Sequence, residues 1–111
     1  MLKDLLEKIF HPEKLGGLQR SSKWPKVRDD FLKGKVCEVC GRKNKLELHH
    51  IIPFWKKPEL ELSESNLIIL CDGFRTRRDH LYFGHLGSWK SWNENVKADV
   101  KIWQIKIEKR P

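Results

Sequence analysis

Leu46-Glu47-Leu48-His49-His50-Ile51-Ile52-Pro53 puts two adjacent histidines at the end of a segment whose apolar and polar positions alternate. On a β-strand, neighbouring side chains point to opposite faces. His49 and His50 therefore cannot share one task unless the strand stops there and the chain turns. Pro53, with no N–H to give a sheet ladder, predicts that turn. A strand ending in two histidines suits a division of labour, one ring holding a metal ion and the other moving a proton.

Cys37-Glu38-Val39-Cys40-Gly41 lies just upstream. Two thiols at this spacing with glycine next predict a tight turn whose backbone N–H groups point at the sulfurs, half of a tetrahedral zinc site. Redox pairs share the spacing, but no strand-helix-strand pattern surrounds this one. The third cysteine, Cys71, closes the apolar run Leu67-Ile68-Ile69-Leu70-Cys71, which reads as a buried β-strand. An odd number of cysteines argues against a disulfide framework and, in a reducing compartment, for metal.

The 111 residues predict one domain around these elements. Leu2, Leu5, Leu6, Ile9 and Phe10 recur at helical spacing until Pro12 and Gly16-Gly17 interrupt them. A linker then leads into a second helix with Pro25 in its first turn, Val27, Phe31 and Leu32 on its apolar stripe and Gly34 at its end. The stretch from Phe54 to Leu62 predicts an ordered loop, and Ser63-Glu64-Ser65-Asn66 a turn. Asp79 stands where it can cap a helix running through His80 and His85. Trp89 and Trp92 are expected in core or rim packing within a turn-like stretch. Val96, Val100, Trp103 and Ile107 form the stripe of a last helix, with Ile102 and Ile105 off it.

Lysine and arginine number 23 against 15 aspartate and glutamate, a formal charge of +8. That excess favours a polyanionic partner, nucleic acid before a membrane. No apolar run reaches membrane-spanning length and the N-terminus lacks a signal-peptide pattern, so a cytoplasmic protein with no membrane partner is expected. Arg20, Lys23, Lys26, Arg28 and Lys33 flank the second helix, where phosphate contact and plain solvation are both open.

Taken in order, the motifs are CxxC, His-His at a strand end, Asn66-Leu67-Ile68-Ile69-Leu70-Cys71, and a late histidine at a helix start. This order resembles the HNH endonuclease family, especially its small bacterial and phage members. Pro58-Glu59-Leu60-Glu61-Leu62 and the stretch from Phe83 to Trp92 add to the likeness. The resemblance implies an α+β fold: a ββα-metal, treble-clef-like core over residues 24–96 with a short two-stranded antiparallel sheet. An N-terminal helix and linker (1–23) and a C-terminal helix (97–111) flank it. It further implies His49 and His80 as ligands of a catalytic Mg²⁺ or Mn²⁺, with His85 as a candidate third. His50 becomes the general base, and Asn66 the residue whose amide fixes the loop that orients it. The chemistry agrees, since a neutral imidazole with a pKa near 6.5 can accept a proton while a metal ion stabilises charge on a phosphodiester.

One position departs from the family pattern. Members usually carry a second cysteine pair whose last cysteine directly precedes the closing histidine; here Asp79 stands there. The expectation is a structural Zn²⁺ on Cys37, Cys40 and Cys71 with Asp79 as fourth ligand, His85 or water being the alternatives. The implied activity is metal-dependent hydrolysis of DNA phosphodiesters, one strand nicked per active site, by a monomer or weak dimer. Arg75, Arg77, Arg78, Lys56 and Lys57 are expected on phosphates. A second reading is a zinc-stabilised nucleic-acid-binding module without the chemistry, and a third is a structural protein with surplus histidines around one zinc.

Overall fold

The computed structural model describes residues 20–109; the helix expected over residues 2–10 lies outside them. Helix α1 (Trp24–Leu32) begins with proline in its first turn and ends where Lys33 becomes extended. Gly34 follows at φ +71°, a conformation that costs glycine nothing. The CxxC turn comes next, closed by Gly41 N–H donating to Cys37 O (2.9 Å) and Cys37 N–H to Arg42 O (3.0 Å).

Strands β1 (Leu46–His50) and β2 (Leu67–Cys71) pair antiparallel, with Leu48 opposite Ile69 and His50 opposite Leu67. A two-stranded ribbon is marginal in water by itself. Here both faces are covered. On one, Leu48, Leu67 and Ile69 meet Trp24, Phe31 and Leu32 of α1. On the other, Ile68 and Leu70 meet Cys37 and Val39 of the cysteine turn and Val96 and Val100 of helix α2 (Val96–Glu108). All five β2 residues are consequently buried, as the unbroken apolar run predicts. Glu38 straps the cysteine turn to the strand, its N–H donating to Ile69 O (3.0 Å) and its carboxylate accepting Ile69 N–H (3.2 Å).

Two local expectations need correcting. Ile107, placed on the buried stripe of the last helix, is exposed along with Ile102 and Ile105. The short strands cover only the first turns of α2; beyond them Trp103 packs on Phe83, with ring centroids 6.1 Å apart, and Gln104 Nε2 donates to Glu38 O. The helix expected from Asp79 is a single π-helical turn, His80–Gly84, which Leu86 (φ 55°) and Gly87 (φ 85°) end. Asp79 makes no side-chain cap there; its carboxylate turns to the thiols instead.

Candidate active site

The π-helical turn explains how two histidines five residues apart come together. An i→i+5 turn brings such residues to one side, which the tighter α-helix does not. The nitrogens of His80 and His85 thereby converge with that of His49, all within 4.8 Å of one another. His80 Nε2 lies 2.9 Å from His49 Nδ1. His85 Nδ1–H donates to Ser91 O (2.8 Å), so its Nε2 carries the lone pair. Asp72 lies beyond His80, its Oδ2 at 3.9 Å from His80 Nδ1.

Burial drives all three rings toward neutrality. It is the largest cause holding His49 down to about 2, with repulsion from His80, His85 and His50 adding to it. His80 is lowered to about 4, again by burial first and then by His85. His85 is lowered as well, chiefly by burial. Each neutral imidazole offers one ring-nitrogen lone pair, and among the described residues His49 Nε2 is buried without a hydrogen-bond partner. That donor set fits a divalent cation. In the metal-free protein the sign with pH follows directly. The unfolded chain binds protons near pH 6.5 that the folded rings refuse, so stability is full above that pH and falls toward pH 4. The loss is about 1.4 kcal/mol per pH unit for each of His49 and His80, ending near pH 4 for His80 and near pH 2 for His49. Thermal melts at pH 7 and pH 5 are expected to differ by about 4 kcal/mol for His49 and His80 together; coincident melts would contradict the burial argument.

Gly84 is what lets the π-helical turn close over His49. A Cβ there would lie 3.1 Å from His49 Cε1 and Nε2. Gly84→Ala is therefore expected to push the ring out of line, weakening divalent-cation binding and lowering stability by about 1–3 kcal/mol. Mn²⁺ titration and a denaturant midpoint measure the two effects.

His50 takes the opposite side of the strand, as alternation requires, yet lines the same cleft because β1 ends there. Its ring packs on Trp24 at 4.4 Å between centroids. Nε2–H donates to Glu61 O (2.9 Å), leaving Nδ1 with a lone pair. Burial lowers its pKa most, opposed by the Glu61 carbonyl and reinforced by Arg20. Asn66 clamps the connecting loop: Oδ1 accepts Ile52 N–H (2.9 Å), and Nδ2 donates to Ile52 O (3.1 Å) and Leu60 O (3.4 Å). The carbonyl it grips at Leu60 directly precedes Glu61, the residue that holds His50.

Glu61 had no assigned role in the sequence. It is 5% exposed, its Oε1 accepts Ser21 N–H (3.0 Å), and Arg20 Nη1 stands 3.8 Å from Oε2. One residue thus ties the segment before α1 by its carboxylate and His50 by its carbonyl. Ser91 and Asn93 play a similar part behind the π-helical turn. Ser91 O receives His85, and Asn93 bonds Gly84 O through its N–H and Phe83 O through Nδ2.

A second centre lies behind the first. Cys37, Cys40, Cys71 and Asp79 present ligand atoms within 4.8 Å of one another. Asp79 Oδ2 is 3.3 Å from both Cys37 Sγ and Cys71 Sγ, and the sulfurs of Cys40 and Cys71 are 3.7 Å apart. Burial raises Cys37 despite backbone N–H groups of Cys40, Val39 and Cys71 that favour its thiolate. Cys71 is pushed up to about 12, again chiefly by burial. Three thiols and a carboxylate converging, with Cys40 on the exposed side and the other three donors buried, fit a thiophilic cation, which replaces thiol protons. The donors come from the first turn after α1, the end of β2 and the residue before the π-helical turn.

The expected phosphate contacts fall into two groups. Arg77 Nε pairs with Asp79 Oδ2 (2.9 Å) and Arg78 Nε with Asp72 Oδ1 (2.8 Å), so both are engaged within the fold. Arg75, Lys56 and Lys57 are exposed, Lys56 Nζ lying 5.6 Å from the Trp92 ring centroid.

The described residues form a small α+β fold, a two-stranded antiparallel sheet flanked by helices, with cysteine and histidine groups able to hold metal. Residues 37–72 match the family model described as HNH endonuclease. The match agrees with the likeness read from the motifs and takes in Cys37, Cys40, His49, His50, Asn66 and Cys71. It ends before Asp79, His80 and His85, whose convergence with the matched residues is a finding of the structure. No curated protein and no solved structure matches the chain. Among the described residues no helix is long and apolar enough to cross a membrane.

Proposed function

We propose that the chain is a metal-dependent endonuclease that hydrolyses DNA phosphodiester bonds, with His50 as general base. The observation that carries this is the division of the two strand-end histidines. His49 joins two other neutral rings in a three-nitrogen cluster, while His50, tethered separately, offers a bare Nδ1 to the same cleft. A divalent cation on His49, His80 and His85, Mg²⁺ or Mn²⁺ by family likeness, would supply positive charge to the phosphate oxygens.

The remaining work belongs to the chain. His50 Nδ1 takes the proton of the attacking water, and the Glu61 carbonyl supports the imidazolium that results, as a backbone acceptor can. Asn66 keeps that loop in place. Zn²⁺ at Cys37, Cys40, Cys71 and Asp79 would hold the first turn, β2 and the π-helical turn together. Arg75, Lys56 and Lys57 contact phosphates directly, and Arg77 and Arg78 add positive charge from their pairs. Such contacts give salt-sensitive binding with little sequence choice. A monomer has one such site and nicks one strand.

The test is incubation of supercoiled plasmid with the protein and Mn²⁺ or Mg²⁺, with and without EDTA. Metal-dependent conversion to the open circle is expected. DNA binding without any nicking would leave a silent zinc-stabilised binding module in its place.

A further inference from the structure

The cleft over the histidines holds about 400 Å³, and much of its wall is aromatic. Trp89 stands directly above the cluster, its ring centroid 4.9 Å from that of His85 and 5.2 Å from that of His80. It remains 52% exposed although both histidines and Arg78 touch it. Across the cleft Trp55 meets Trp92 edge-on at 5.4 Å and is itself 37% exposed. Arg20 and Lys90 line the same space, and Lys56 lies over Trp92.

Contact with duplex phosphates requires none of these rings. Bases inside a duplex keep their faces stacked on one another, so an indole beside a backbone phosphate has nothing to stack on. An unpaired nucleotide is different. Its base is free to swing, one sugar away from its own phosphate, and every base offers a π-face to an indole. A phosphate at the histidines therefore brings its base within reach of Trp89 only where the strand is unpaired. Positive side chains interleaved with exposed aromatic faces are the pattern that binds single strands with little sequence preference.

We infer that this cleft takes an unpaired DNA strand, the base next to the reacting phosphate stacking on Trp89 and a neighbouring base meeting Trp55. This rests on the reading of the cleft as a nucleic-acid site and narrows its substrate to unpaired stretches: single-stranded, gapped or flapped DNA, and those that negative supercoiling opens in a plasmid.

Binding separates this inference from the nuclease reading. In His50→Ala protein with its metals bound, an oligothymidylate of about 15 nucleotides and a duplex of equal length are titrated by fluorescence anisotropy at matched salt. The single strand is expected to bind at least about tenfold tighter and to quench tryptophan emission. Trp89→Ala should remove about tenfold of single-strand affinity and leave duplex binding unchanged, whereas Trp89→Phe should keep most of the preference. Trp55→Ala should lower single-strand affinity in the same selective way. Duplex binding as tight as single-strand binding, or Trp89→Ala lowering both equally, would overturn the inference. Wild-type protein that, with its metals bound, cleaves neither plasmid nor single-stranded oligonucleotide, while the Trp89 variants show the selective loss, would refute the nuclease reading and leave this one standing.

Discussion

Replacing His50 with alanine is expected to slow metal-dependent plasmid nicking by about 10²–10⁴-fold, the usual worth of a general base. The fold should survive, because the ring is half-buried at the end of β1 and lies outside both apolar clusters. Its losses are one hydrogen bond to Glu61 O and the contact with Trp24. Metal content should stay constant, since His50 contributes to neither donor cluster. That distinguishes it from His49→Ala, which should lose activity and Mn²⁺ binding together. The pH profile gives a second check. Burial and the neighbouring Arg20 favour the neutral ring, so the acid limb of the rate should lie below the ordinary histidine value of 6.5. Nicking by His50→Ala at the wild-type rate would place the base elsewhere. An acid limb above pH 7 would mean that the titrating group is not a buried imidazole.

The parts of this molecule that follow periodic rules were readable before folding. Alternation over Leu46 to His50 and the apolar run from Leu67 to Cys71 both became strands with those ends. Pro25 and Gly34 bracket α1 for reasons local to the backbone. The strand-end argument also survives, with His49 and His50 on opposite faces and still sharing one cleft. What escaped depends on contacts between distant segments. Glu61 sits in a loop, where no periodicity signals burial, and its part arises from Ser21, Arg20 and His50 meeting there. Where the sequence predicts a longer helix the chain makes one π-helical turn, with Gly84 close against the His49 ring, a contact that no local propensity encodes. Arg77 and Arg78 look free in the sequence, and only the fold shows the carboxylates they face.

Cys37→Ser is expected to lose stoichiometric zinc and to melt well below the wild type. Free energies of structural zinc sites run to about 10–16 kcal/mol in zinc-finger peptides, so even a fraction of that matters here. Each 1 kcal/mol corresponds to roughly 4–8 °C in a domain of this size, and a drop of more than about 10 °C should be seen by calorimetry. The metal-free centre explains why. With Cys37 raised and Cys71 near 12, these two thiols stay protonated at neutral pH, and they meet Asp79 through weak thiol hydrogen bonds. A cation exchanges those protons for metal–ligand bonds, so its affinity should fall steeply as the pH drops. Asp79→Cys should make zinc harder to remove with a chelator, because it supplies sulfur where the chain now supplies oxygen. The effect should reach the histidine cluster, since Cys71-Asp72 and Asp79-His80 each place one residue at the thiols and the next at the histidines. Stripping zinc should thus weaken Mn²⁺ binding at His49, His80 and His85. Undiminished zinc in Cys37→Ser would remove this sulfur from the ligand set, and Mn²⁺ binding indifferent to zinc would show the two centres to be independent.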